Sequence, residues 1–146
     1  KTNQFNLHPV RYNKAEIMEA IVDPKKFLIT ANYRDRFGEA GLVACSIGSI
    51  RGSEIKIQTF MLSCRVIGLG IEDVLLAAIE SSTSKSVDSF KIEFLQTEKN
   101  VPAQNFLSRF GTLSAGAQSV SVKVNELPKK PEWIAVNHTL TYQDDF

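Results

Sequence analysis

Hydrophobic and polar residues follow two periods along this chain, and the switches between them mark out its elements. From Phe27 to Arg36 the period is two. Phe27, Ile29, Ala31 and Tyr33 lie on one side, and Leu28, Thr30, Asn32 and Arg34 on the other, which predicts a strand. Phe37 to Gly41 reads as a turn. Leu42 to Ile47 is apolar on both faces and predicts a central strand; Gly48 to Ser53 reads as a second turn, and Ile55 to Ser63 as a third strand. Short turns between consecutive strands predict an antiparallel meander. Upstream, Thr2 to Leu7 alternates with Phe5 and Leu7 on one face. This predicts a first strand that Pro9 interrupts or sets at an edge. Asn13 is placed to cap a helix from Lys14 to Val22, with Glu16 in the first turn and Ile17, Ala20 and Ile21 as the apolar stripe. Asp23-Pro24 ends it.

After the meander the period lengthens. Ile71, Val74, Leu75, Ala78 and Ile79 recur at helical spacing, with Glu72 and Asp73 in the first turn. Phe90, Ile92 and Phe94 then read as a strand. A strand, a crossover helix and a strand in succession predict a parallel pair. Asn100 reads as the N-cap of a short helix with Pro102 in its first turn, a stripe of Ala103, Phe106, Leu107 and Phe110, and Gly111 as the stop. Val120, Val122 and Val124 predict a strand, Pro128 to Pro131 a linker, Trp133 to Thr139 a last strand and 141–146 a tail. The fold class expected is α/β: one domain over 1–146, with a mixed, mostly antiparallel sheet flanked by helices.

Composition narrows the functions. The 146 residues carry a net charge of +1, so no nucleic-acid partner or anionic membrane surface is suggested by the total. There is no signal-peptide pattern and no apolar run of membrane-spanning length. Cys45 and Cys64 do not make a disulfide framework, which points to a reducing cytoplasm. His8 and His138 lie far apart and no Cys/His cluster has ligand spacing, so no metal is expected in this domain. The chain opens at Lys1 without a methionine and reads as part of a longer protein.

The chemistry concentrates at Cys64-Arg65-Val66-Ile67-Gly68-Leu69-Gly70, between a strand and a helix N-terminus. Such a corner can hold an anion on backbone N–H groups and the helix dipole, with Arg65 adding charge. It can also be a tight turn in which the glycines only permit the bend. Cys64 is a thiol nucleophile or a small buried residue; a cation and a helix N-terminus beside a cysteine favour the thiolate. Cys45 reads as core. Asp35 and Arg36, at a strand end, could orient substrate hydroxyls or a carboxylate, or simply flank a hairpin turn. His8 is a candidate general base or an exposed loop residue. Asn3 and Asn6 line a cleft or pair within an edge strand.

The order of elements, with Arg65-x-x-Gly68-x-Gly70 after a strand, resembles the GNAT acyltransferase fold. In that family this segment binds the pyrophosphate of coenzyme A. Asn100-x-x-Ala103 followed by Phe110-Gly111 is similar to the family's second motif, where an asparagine opens a helix beside the pantetheine arm. Thr97 and Asn100 would then bond the pantetheine or acyl group. A narrower likeness covers most of the chain to about Gly111. Lys1-Thr2-Asn3-Gln4-Phe5-Asn6-Leu7, Asp35-Arg36-Phe37-Gly38-Glu39-Ala40-Gly41-Leu42-Val43 and Phe60-Met61-Leu62-Ser63-Cys64-Arg65-Val66 resemble the C-terminal domain of FkbH-like proteins. Those proteins carry an upstream haloacid-dehalogenase-type phosphatase domain and load a glyceryl unit onto an acyl carrier protein.

The resemblance implies coenzyme A or phosphopantetheine held by Arg65, Val66, Ile67, Gly68, Leu69, Gly70 and Asn100. The candidates for chemistry are then Cys64, Asp35 and His8, with substrate contacts at Asn3, Arg36 and Thr97, and the resemblance implies a carrier protein or acyl-coenzyme A as partner. The chain departs from the acetyltransferase pattern in two places. Leu107 stands in line with the usual tyrosine acid, and Thr112 follows the glycine. Gln58 and Thr59 hold the middle of the strand where a glutamate base is usual, Glu54 lying at its start. Three functions follow: thioester acyl transfer, a non-catalytic module docking a carrier protein, and acetyl-coenzyme A-dependent N-acyl transfer.

Overall fold

The computed structural model describes residues 4–83 and 86–138. The predicted first helix is there as α1 (Lys14–Val22). Asn13 accepts the Glu16 N–H at its N-terminus, and the Glu16 carboxylate accepts from the Asn13 N–H, a reciprocal capping box. The meander follows as β1 (Lys26–Asp35), β2 (Gly38–Arg51) and β3 (Glu54–Leu62), all antiparallel. Both turns are tighter than the sequence suggests, because β2 runs through Gly38–Gly41 and through Gly48. A crossover through α2 (Ile71–Ser81) brings β4 (Ser89–Glu93) parallel to β3, as the strand–helix–strand pattern requires. After α3 (Val101–Ser108), β5 (Ser119–Lys123) pairs antiparallel with β4, giving a five-stranded sheet in the order β1-β2-β3-β4-β5. This is an α/β fold with a mixed sheet, as expected.

Alternation in the strands divides the sheet faces. Ile55, Ile57, Phe60 and Leu62 of β3 and Phe90 and Ile92 of β4 are buried in one apolar cluster with Leu75, Leu76 and Ile79 of α2 and Phe106 and Leu107 of α3. At its centre the Phe60 and Phe106 rings stack at 5.5 Å, and Phe5 lies 5.4 Å from Phe106. Each such ring removed from water contributes about 1.5–3 kcal/mol. Gln58 is an extra residue in β3, where the register shifts between Ile47 and Gly48; it lets Phe60 and Leu62 stay on the core face. The opposite face carries α1, through Ala20 and a Lys26–Glu19 ion pair of 2.6 Å. That pair raises the Lys26 ammonium above its ordinary value, mainly by the hydrogen bond to Glu19.

Two expectations need correction. Residues 5–7 do not form an edge strand. β3 and β4 pair only as far as Ile57 and Ile92, and the segment Phe5–Leu7 fills the space beyond. The Leu62 N–H donates to the Phe5 carbonyl (2.9 Å) and the Leu7 N–H to that of Phe60 (3.1 Å). On the other side the Leu95 N–H donates to the Leu7 carbonyl (2.8 Å). Burial of Phe5 and Leu7 in the core holds it inside the sheet. At the other end, residues 133–138 form no strand. Instead Pro131 and Ile134 pack over Gly70, and the Ile134 N–H donates to the Pro131 carbonyl. Asn3, Thr139 and the tail lie outside the described residues.

Candidate functional site

The corner after β3 is built locally. Ser63 N–H donates to the Val43 carbonyl, ending the β2–β3 ladder. The chain then makes one three-ten turn, Cys64–Val66, capped by the Ser63 hydroxyl. Val66 is buried and Ile67 packs against the core, so the turn is pinned from inside. Gly68 and Gly70 both have φ of +81°, the left-handed region that a side chain disfavours. Arg65 is exposed and steered by its Nε bond to Ser63 Oγ (3.1 Å) and a long contact from Nη2 to the Leu42 carbonyl (3.5 Å). The Cys64 thiol is exposed and forms no side-chain hydrogen bond among the described residues. Leu69 N–H is used by the Val66 carbonyl, whereas those of Ile67, Gly68 and Gly70 have no protein acceptor among the described residues.

The two glycines are not equivalent. A Cβ on Gly68 would meet nothing within 4 Å, so this side of the turn is open to a ligand. A Cβ on Gly70 would lie 2.7 Å from Pro131 Cγ, so Gly70 admits the chain's own C-terminal segment. Two carboxylates follow at once. Asp73 is paired in a two-pronged bond with Arg109 of α3 (2.9 and 3.2 Å). Burial pushes the Glu72 carboxyl above its usual range, and its Oε2 is buried with no partner. A recess of about 610 Å³ is lined by Gln104, Ser108, Arg109 and Thr112 among others.

The remaining candidates lie elsewhere. Asp35 and Arg36 sit at the tip of the β1–β2 hairpin, which projects beyond β3. Asp35 Oδ1 accepts the Phe37 N–H (2.8 Å), and Arg36 stacks on the Phe37 ring at 4.6 Å. Asp35 faces Gly38, four residues of β2 from Leu42, which meets Arg65; at strand rise this is roughly 13 Å. Asn6 pairs with Met61, so His8 falls beside Thr59, roughly 15 Å along β3 from Cys64. Cys64, Asp35 and His8 are therefore strung along the sheet and do not converge on one atom. Cys45 is half-buried in β2, and burial raises its thiol above the ordinary value.

Asn100 holds the N-cap position of α3, but its side chain does not cap the helix. It is 1% exposed and turned inward. Its amide donates to the carbonyls of Asn6 (3.1 Å) and Leu95 (2.9 Å), and its Oδ1 accepts from Thr97 N–H (2.9 Å) and Gln104 Nε2 (3.0 Å). Thr97 is held in the same network. Asn100 and Leu95 thus clasp Asn6 and Leu7 in the β3–β4 gap. What sequence reasoning missed is Glu93, which stands between His8 and Lys56; only the parallel register of β3 and β4 brings these together.

No family model matches the chain, and no curated protein matches it. One solved structure, described as a "putative acetyltransferase from Agrobacterium tumefaciens", is similar with a TM-score of 0.45 and 18% identity, over 79% of this chain and 96% of that chain. No helix among the described residues is long and apolar enough to cross a membrane.

Proposed function

We propose that this domain binds the phosphate end of coenzyme A or of a phosphopantetheine arm at the Arg65–Gly70 corner and moves a small acyl group as a thioester. The observation that carries this reading is the open side of the turn. Three N–H groups, at Ile67, Gly68 and Gly70, lie beside Arg65 with no acceptor among the described residues, and an exposed thiol precedes them. In the transfer, Cys64 Sγ forms a bond to the acyl carbon, the acyl–sulfur bond of the pantetheine breaks, and the pantetheine leaves as a thiol that takes up the Cys64 proton. One thioester replaces another, so the exchange is close to neutral. The likeness to FkbH-like domains makes a glyceryl-like acyl group, a carrier protein and an upstream phosphatase-type domain the matching donor set and partners.

A second reading is a carrier-protein docking module without chemistry of its own. The filling of the β3–β4 gap by Phe5–Leu7 favours it, because that gap offers an arm no room. Intact-mass measurement after incubation with an acyl carrier protein bearing a glyceryl thioester, or with acetyl-coenzyme A, separates the two. Transfer predicts one acyl increment that hydroxylamine removes and that Cys64→Ser abolishes. Docking alone predicts no increment, with the carrier protein still retained in a pull-down.

A further inference from the structure

The face of the sheet opposite the aromatic core holds polar side chains that neither reading uses. The register sets Lys26, Ser49, Lys56, Lys91 and Ser121 in one row across the five strands. α1 covers the β1 end of that face, and the β3–β4 end is left to half-buried polar groups. There Glu93 lies between Lys56 and His8: Lys56 Nζ is 2.8 Å from Oε1, and His8 Nδ1 is 3.6 Å from Oε2. His8 Nδ1 is buried with no hydrogen-bond partner, although the side chain as a whole is 32% exposed, so the ring shows its other edge to solvent. Asn6 Oδ1 is also buried and unpartnered, on the same face, since Asn6 pairs with Met61. Next to it the Tyr12 and Thr59 hydroxyls bond each other at 2.9 Å.

This arrangement has a chemical direction. A carboxylate facing Nδ1 favours the tautomer that carries its proton there and leaves the Nε2 lone pair free. Lys56, 2.8 Å from the other carboxylate oxygen, anchors Glu93 in that place. A bare Nε2 takes a proton, and the unused Asn6 Oδ1 accepts a hydrogen bond. A ligand that satisfies both presents hydroxyl groups.

We propose that His8, faced by Glu93, is a general base on this second face for a hydroxyl-bearing acyl acceptor, with Asn6 receiving a neighbouring hydroxyl. The acceptor O–H gives its proton to Nε2 as its oxygen bonds to the carbonyl carbon of an activated acyl donor. The donor's leaving group departs and takes the proton back from the imidazolium. Glu93 is a positioning residue and touches neither reactant. The site uses neither Cys64 nor the corner, and so goes beyond the thioester reading.

The test uses p-nitrophenyl acetate as donor and glycerol as acceptor in a Cys64→Ser background, so that its outcome is independent of the thiol. The products are glyceryl acetate and p-nitrophenol. His8→Gln is expected to lower the glycerol-dependent rate at least ~10-fold, general-base catalysis contributing roughly 10²–10⁴-fold. His138→Gln should leave it at the parent value. Glu93→Gln should lower it several-fold and displace its pH profile. Long-range proton–nitrogen NMR reads the tautomer directly. A neutral His8 with its proton on Nδ1 supports the assignment, and that proton should shift toward Nε2 in Glu93→Gln. A glycerol-dependent rate unchanged in His8→Gln, or an Nε2–H tautomer in the unsubstituted protein, overturns it.

Discussion

Replacing Asn100 by alanine should destabilise the fold by about 2–4 kcal/mol, measured by urea unfolding with the slope unchanged. The side chain makes four hydrogen bonds while 1% exposed, and its partners include the backbone of Asn6, Leu95 and Thr97. Alanine leaves two carbonyls and an N–H without partners, and each buried unsatisfied group costs about 1–3 kcal/mol. Asn100→Asp should lose nearly as much, since a carboxylate cannot donate to the Asn6 and Leu95 carbonyls. An asparagine kept for contact with a ligand would instead show little loss of stability. The outcome matters for function, because this network clasps Phe5–Leu7 in the β3–β4 gap.

Gly48→Ala should cost about 3 kcal/mol in the same measurement. Its Cβ would lie 2.2 Å from the Lys56 carbonyl oxygen and 2.6 Å from Phe27 Cζ. The first of these atoms is backbone in the adjacent central strand, so relief requires β2 and β3 to move apart. The φ at Gly48 is not positive, so the effect comes from close packing and not from a turn conformation. Gly68→Ala gives the contrast: the space around it is open, and only the left-handed backbone opposes the change.

These two positions show what the sequence displays and what it hides. Gly48 reads as the start of a turn because glycine commonly punctuates strands; its neighbours Phe27 and Lys56 come from two other strands, and only the sheet brings them to it. Asn100 reads as a helix cap because an asparagine before a proline-bearing helix start is a local signal. Its real partner, Asn6, lies 94 residues away. The α1 cap was legible because Asn13 and Glu16 satisfy each other within one turn. The pairing of β1 to β4 was legible too, because short turns force antiparallel neighbours and a crossover helix forces a parallel one. Within the candidate site the same division holds. Cys64 to Gly70 is contiguous, so its corner could be read directly from the chain. The packing of Pro131 on Gly70, the meeting of His8 with Glu93, and the distance of Asp35 and His8 from Cys64 depend on pairing between remote segments.

Both functional readings of the corner require a phosphate bound at Arg65–Gly70, whether or not Cys64 then carries an acyl group. Calorimetric titration with coenzyme A, alongside pantetheine lacking the phosphates, tests that requirement most directly. The geometry predicts one coenzyme A per chain, no measurable binding of pantetheine, and affinity weakened about tenfold, or ~1.4 kcal/mol, in Arg65→Gln. Equal binding by the Arg65→Gln protein, or the absence of any coenzyme A binding, would contradict it.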